Sequence, residues 1–371
     1  MIAQVKFRLK PCYRRIVLFS ILGGLVLSLS GCSTLAYYRQ AAGGHLDIMT
    51  KRRPIAELIG DTSIPEPVRE KLMLVQEIRA FASQSLLLPE NGSYSSYANI
   101  NRRYVVWNVF ATPALSLEPV ESCYLVVGCL SYRGYYREAD AQTHANKLRA
   151  TNHDVYVGGV AAYSTLGWFD DPVLNTMLYW DDRRLARLIF HELTHQLLYV
   201  KHDALFNESF ATNFAEIGLQ RWLASKATDG KARSEAGGDD RAREIEFISM
   251  IQETREHLAS LYASSATEEV KSQQKKEAFN ALAKEYTLFK QRWSNYAGYD
   301  EWMNNDLNNA KIASVVTYHS YDKAFRNLLT QANDRLDLFV EKVKAIASLE
   351  ETARHKCLRA LNEDESHQCE A

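Results

Sequence analysis

Two imidazoles four residues apart, with a carboxylate between them, stand at His191, Glu192 and His195. On a helix both imidazoles leave the same face about one turn apart. Two nitrogens so placed can share a metal ion, and Glu192 lies beside them without being a ligand. The order H-E-x-x-H is the helix-borne zinc motif in which the glutamate is a general base. Catalytic zinc takes three protein ligands and keeps one position open. Its chemistry is hydrolysis: the ion polarises a carbonyl, and the base passes a proton from water to the leaving amine. The third ligand must come from elsewhere. Glu208, in Asn207-Glu208-Ser209-Phe210-Ala211-Thr212, lies 13 residues after His195, room for a loop and a returning helix. His202 and Asp203 are rivals that follow the first helix closely. The plainer readings are a pair of satisfied interior histidines and a first-turn acid favoured by the helix dipole.

Other residues could complete such a site. A developing oxyanion needs a donor, and Tyr163, Tyr318 and His319 are candidates. Residues 155–167 read Val-Tyr-Val-Gly-Gly-Val-Ala-Ala-Tyr-Ser-Thr-Leu-Gly. An edge strand there could pair with a peptide backbone, with Gly158 and Gly159 allowing close approach. Trp168-Phe169-Asp170-Asp171-Pro172 reads as a pocket-rim loop. Asp170 or Asp171 could hold an amino group or, more plainly, form a turn. Asn207 reads first as a helix N-cap.

The elements that must position these groups are an α+β set. Leu72, Val75, Ile78 and Phe81 keep a 3.6-residue period after Pro65 and Pro67, so a helix is expected over 68–81. Strand-like runs follow at Tyr104–Phe110, Tyr124–Val127 and Val155–Val157, with a helix over Asp140–Ala150. They make a small, mostly antiparallel sheet ahead of the metal helix, which Asp181 or Asp182 can cap. A second helix should run from about Asn207 to Trp222. Ser225–Arg243 is rich in Gly, Ala and charge and reads as a link. Ile245–Trp293 is charged and helical, a hairpin, and further helices run from about Asn304 to Leu349. The expected organisation is a core over 32–223, a hairpin insertion over 224–303, and C-terminal helices with a cysteine-bearing tail over 304–371.

The first 31 residues carry no acid and five basic residues, Lys6, Arg8, Lys10, Arg14 and Arg15. The uncharged apolar run Ile16–Ser30 is short for a bilayer span, so the segment reads as a secretory signal peptide. Leu29-Ser30-Gly31-Cys32 resembles the lipobox of bacterial lipoproteins. That resemblance implies cleavage before Cys32, acylation of Cys32 and, with Ser33 rather than Asp next, an outer-membrane anchor facing the periplasm. The formal charge is −1 overall; without the +5 of the signal it is −6, and no basic stripe suggests nucleic acid. Cys12 leaves with the signal. Cys123, Cys129, Cys357 and Cys369 remain, an even number suited to an oxidising compartment. Of the three pairings, Cys123–Cys129 and Cys357–Cys369 need only short loops and are favoured. A four-cysteine metal site is the rival, but its spacing is not that of a zinc knuckle.

Longer stretches resemble the bacterial predicted-aminopeptidase lipoproteins, a zincin-like group. They are Tyr37-Tyr38-Arg39-Gln40-Ala41, Val106-Trp107-Asn108-Val109-Phe110, Ser131-Tyr132-Arg133-Gly134-Tyr135, residues 158–172, the zinc helix, residues 206–211 and Asn308-Asn309-Ala310. The resemblance implies a zincin-like core, one zinc ion and a peptide substrate trimmed from its amino end. Asn207-Glu208 also resembles the helix start that supplies the glutamate ligand in thermolysin-like peptidases. The spacing there is longer, and Thr212 stands where that pattern has an Asp behind a ligand histidine. Two other functions fit the same chain. One is a non-catalytic lipoprotein that binds an envelope partner through Ile245–Trp293, against which the intact Glu192 argues. The other is an endopeptidase of envelope proteins or cell-wall peptides.

Overall fold

A computed structural model describes residues 36–124, 128–162, 164–165, 167–226, 238–304, 306–319, 321–363 and 369; of residues 238–241 and 316–319 it describes the backbone alone. The expected signal segment, Cys32 and Tyr163 lie outside the described residues, as do the side chains of Tyr318 and His319 and most of the expected link. The chain divides into two compact units, 1–50 and 51–371. In the first, residues 36–50 are helical, α1. The boundaries expected at 223/224 and 303/304 fall inside the second. Among the described residues no helix is long and apolar enough to cross a membrane.

The second unit is α+β, with three small sheets among the described residues and a mostly helical C-terminal half. β1 (Arg52–Pro54) leads into α2 (Ile55–Gly60) and α3 (Glu66–Ser85). Pro at the first turn starts α3, because its missing N–H is not needed there. Leu72, Val75, Ile78 and Ala82 are its buried stripe, and Phe81 meets Phe190 of the metal helix at 6.2 Å between ring centres.

The strands then form in order β2 (Ser96–Ala98), β3 (Val106–Pro113), β4 (Ser122–Tyr124), β5 (Gly128–Leu130) and β6 (Arg133–Tyr135). Helix α4 (Glu138–Arg149), β7 (His153–Val160) and β8 (Val173–Leu174) complete them. β3 lies between β6 and β7, antiparallel to both, with Trp107 opposite Tyr135 and Gly159. β2 pairs antiparallel with β1 and parallel with β8. Of the strand expected over Tyr124–Val127, residues 125–127 lie outside the described residues; Tyr124 belongs to β4, which pairs antiparallel with β5. Cys123 and Cys129 sit opposite each other there and are disulfide-bonded.

After α5 (Asn175–Leu178), α6 (Asp182–Leu197) and α7 (Ala204–Lys226) are the central pair of helices. Asp181 caps α6, its side chain accepting from Arg184 N at 2.9 Å. Leu185, Ile189, Phe190 and Leu193 are buried along it. Phe206, Phe210 and Phe214 on α7 pack with Phe325 and Phe339 from the C-terminal helices. Gly218 is needed for the packing: a Cβ there would lie 2.8 Å from Leu86 and 3.0 Å from Phe190.

The charged segment is a helical hairpin, α8 (Gly238–Ala263) and α9 (Glu268–Arg292). Its charges are one face only. Phe247, Ile251 and Leu258 pack with Phe279, Leu282 and Phe289. Lys275 pins the hairpin to the sheet by donating to Asp154 at 2.6 Å and to Ala114 O at 2.7 Å. The chain ends in α10 (Asp300–Asn304), α11 (Asn309–His319), α12 (Asp322–Gln331), α13 (Leu336–Ala347) and α14 (Glu351–Asn362). Asn309 of the Asn-Asn-Ala motif donates to Ala114 O and Ser116 O and accepts from Tyr262. Helix α14 lies in the region expected as tail. Its inward stripe includes a charged residue, Arg354, beside Cys357, Leu358 and Leu361, so it carries a poor apolar signal. Cys357 of this helix is bonded to Cys369.

Candidate metal centre

The loop between α6 and α7 decides where the second helix presents its acids. Asp203 caps α7: its side chain accepts from Phe206 N at 2.9 Å and its carbonyl from Asn207 N at 3.1 Å. Asn207 is therefore inside the helix and is not its cap. Its buried amide accepts from Val200 N at 2.8 Å and donates to Val200 O at 2.7 Å, bracing the loop from within. That brace holds Glu208 against the face of α6 that carries the histidines.

The Nε2 atoms of His191 and His195 lie 3.1 Å apart. Glu208 Oε2 is 3.2 Å from the first and 3.6 Å from the second. These three atoms form a group that could hold a metal ion. A tetrahedral zinc with bonds of about 2.0–2.1 Å sets its ligand atoms roughly 3.3 Å apart, so the spacing fits. Glu208 Oε2 is buried and makes no hydrogen bond despite its two close imidazoles. That is the condition of an acceptor awaiting a cation. The rival ligands are engaged elsewhere. His202 Nδ1 accepts from Cys129 N at 3.3 Å, and Asp203 is paired with Arg354 at 2.7 Å and His355 at 3.1 Å. A second cluster, Glu121 with Cys123 and Cys129, has both sulfurs in a disulfide and offers no thiolate.

Electrostatics separate the two glutamates. Burial pushes the Glu208 carboxyl up, but His195 and His191 outweigh it and hold the group well below the usual carboxylate range. Burial pulls His195 down, and Glu208 more than reverses this, so the imidazole ends raised. Glu192 goes the other way: burial raises it, the two imidazoles pull it back only in part, and Glu208 pushes it further up. A carboxylate displaced upward is suited to accepting a proton near neutral pH.

Ser164 joins Glu192 to a third acid. It hydrogen-bonds Glu192 and donates to Asp171 Oδ2 at 3.3 Å. Asp171 is 1% exposed and also accepts from Thr165 N at 2.8 Å and Thr165 Oγ1 at 3.0 Å. Burial carries its carboxyl up to about 6 against those hydrogen bonds. The turn-forming reading therefore suits Asp171, beneath Glu192. Asp170 is exposed. The close approach expected at Gly159 is filled from within, because a Cβ there would lie 2.4 Å from the Tyr104 ring.

Tyr132 and Tyr199 are the tyrosines that the described structure brings to this group. Tyr132 precedes β6, with its ring 5.3 Å from Phe110. Burial, then Glu208 and Glu192, push its phenol up. Tyr199 lies 6.4 Å from the His195 ring, and burial and Glu208 raise it too. Sequence reasoning passed over both. Tyr199 stands four residues after His195, just past the end of α6, and Tyr132 is in the quoted Ser-Tyr-Arg-Gly-Tyr stretch.

Comparison with known proteins adds one finding. A family model described as "Putative aminopeptidase" matches residues 36–358. No curated protein and no solved structure matches the chain. The match spans both helices of the metal centre, the sheet, the hairpin and most of the C-terminal helices, and on it the chain belongs to the Putative aminopeptidase family.

Proposed function

We propose that the protein is a zinc-dependent aminopeptidase with a zincin-like core. The reading is carried by one observation: His191, His195 and Glu208 converge at zinc-ligand spacing, with a desolvated Glu192 beside them. Those three residues would hold the ion. Bound zinc supplies Lewis acidity toward a peptide carbonyl and the water that attacks it. Glu192 would serve as the general base, its carboxylate accepting a proton and returning it to the departing amine. Ser164 and Asp171 fix the orientation of Glu192 from below. Tyr132 keeps its proton because burial and two carboxylates disfavour the phenolate, so it can donate to the developing oxyanion. Tyr163 and Tyr318 keep the same proposed role from the sequence.

The family description favours attack at a free amino end. The N-terminal pattern supports a chain acylated at Cys32 and anchored in the outer membrane, facing the periplasm. The disulfide at Cys123–Cys129 suits that oxidising compartment.

The test is metal analysis of the purified protein beside digestion of a peptide library, for wild type and Glu192→Gln. We expect one zinc in both, release of amino-terminal residues by wild type, and a roughly 10²–10⁴-fold loss in the variant. Unchanged cleavage by Glu192→Gln would remove that residue as the base. Cleavage at internal bonds would make the protein an endopeptidase. Tyr132→Phe should lower kcat by roughly a hundredfold with zinc content unchanged.

A further inference from the structure

A cavity of about 880 Å³ opens beside the first turn of α6, away from the metal ligands. Arg102, Arg103, Tyr104, Gly159, Arg184 and Glu301 are among its walls. Three arginines against one glutamate make it basic by two charges (3 − 1). Two of the arginines are already committed. Arg102 donates to Tyr136 O and Val105 O, each at 3.2 Å, and Arg103 pairs with Glu301 at 3.3 Å.

Arg184 differs. Its guanidinium lies over the Trp180 ring, 4.0 Å from the ring centre. It is exposed, and among the described residues its guanidinium has no hydrogen bond or ion pair. Partial burial pulls its pKa down, and the nearby Asp181 carboxylate offsets this only in part. A guanidinium stacked on an indole keeps its N–H edge free and oriented, which is the geometry for two-point binding of a carboxylate.

The cavity is in line with the metal centre. Arg184 and His191 are seven residues apart on α6, so they share a face, about 10 Å apart along the axis. Gly159 and Val160 at the end of β7 also line the cavity, and Ser164, four residues after Val160, hydrogen-bonds Glu192. Among the described residues β7 pairs with β3 alone and has no strand on its other side, where Asn308 donates to Val155 O at 3.3 Å. An extended peptide advances about 3.4 Å per residue, so one reaching from the metal ligands to Arg184 crosses about three residues.

We propose that this cavity binds a carboxylate of the substrate about three residues from the bond cut, with Arg184 as the specificity-determining residue. The distance from the cut bond rests on the peptidase reading of the metal centre; the carboxylate preference does not. The group is either the terminal carboxylate of a short peptide or an acidic side chain of a longer one.

The test is calorimetric binding of tetra-alanine, its C-terminal amide, and amides bearing glutamate at the third or fourth position. The proteins are full-length, in the Glu192→Gln background to prevent turnover, with Arg184 intact, Arg184→Met and Arg184→Lys. With Arg184 intact, the free acid should bind roughly ten- to a hundred-fold more tightly than the amide. That advantage should vanish with Met and persist in part with Lys. Recovery of affinity by a glutamate-bearing amide assigns the cavity to side chains; no recovery assigns it to the terminal carboxylate. Equal binding of acid and amide overturns the proposal, and that comparison needs no change at Arg184. A preference retained by a folded Arg184→Met, checked by thermal unfolding, overturns it as well. A carboxylate preference in a protein that cleaves no peptide with Glu192 intact leaves the cavity assigned and the peptidase reading refuted. Cleavage with no carboxylate preference does the reverse.

Discussion

Asp203 and Glu208 stand five residues apart at the start of α7, both with histidine partners from another helix, yet their surroundings differ. Asp203 is 3% exposed and accepts from Arg354 at 2.7 Å, His355 at 3.1 Å and Phe206 N at 2.9 Å. Arg354 in turn donates to Ala347 O and Leu349 O, and Tyr321 Oη lies 2.7 Å from His355 Nδ1. A permanent cation and a full set of donors close that network. Glu208 faces the imidazoles of His191 and His195 and has no permanent cation beside it, and its Oε2 is left without a hydrogen bond. One acid is finished as structure. The other is unfinished in a way that a divalent cation completes.

The comparison breaks first at Asp203. Asp203→Asn leaves Arg354 buried and unpaired, and should lower stability by about 3–5 kcal/mol at neutral pH, read by chemical denaturation. The pH dependence has a definite sign. Burial raises the Asp203 carboxyl, but His355, Phe206 N and Arg354 together bring it below its ordinary value. Its stabilisation is therefore complete above the unfolded pKa of about 3.9 and lost as pH falls through the lower folded value. The gap between wild type and Asp203→Asn should close over that acid window. A gap that stays constant there would show that the carboxylate charge is not what holds Arg354.

Glu208→Gln sharpens the contrast from the other side. The variant should lose zinc affinity by roughly a hundredfold or more, since a ligand matters at least as much as the groups that orient ligands. With chelator present its stability should change far less than that of Asp203→Asn. Full zinc occupancy in Glu208→Gln would move the third ligand elsewhere.

These two acids also mark what could be read from the chain. His191, Glu192, His195 and Glu208 were legible because their geometry is local: one helical turn, one short loop, one more turn. Asp203 was not, because Arg354 lies 151 residues away, on a helix whose inward stripe breaks the apolar pattern. Asn207 has the residue type of a cap, and only the backbone of Val200 seven residues earlier reveals it as a brace. Tyr132 and Tyr199 were lost among 20 tyrosines; selecting Tyr132 needs its place beside Phe110 at the edge of the sheet. The hairpin was legible as charged helices, but the anchor of Lys275 on Asp154 spans 121 residues and leaves no local trace.

Asp171 is the intermediate case and gives the smallest effect. Its Oδ2 accepts from Thr165 and Ser164, while its buried Oδ1 has no partner. Its folded pKa, raised to about 6, exceeds the unfolded value near 3.9. In metal-free protein, stability should therefore fall as pH rises from about 4 to 6, and the penalty should then stay constant. Asp171→Asn removes the ionisation but keeps an acceptor for Thr165. The variant should be more stable than wild type by roughly 2 kcal/mol at pH 8 and no more stable at pH 4. Zinc should narrow the gap, because a cation beside Glu192 favours the charged form of Asp171. A variant less stable than wild type at pH 8 with chelator present would mean that Oδ1 has found a donor. Asp171 would then belong with Asp203, as finished structure, and not with Glu208.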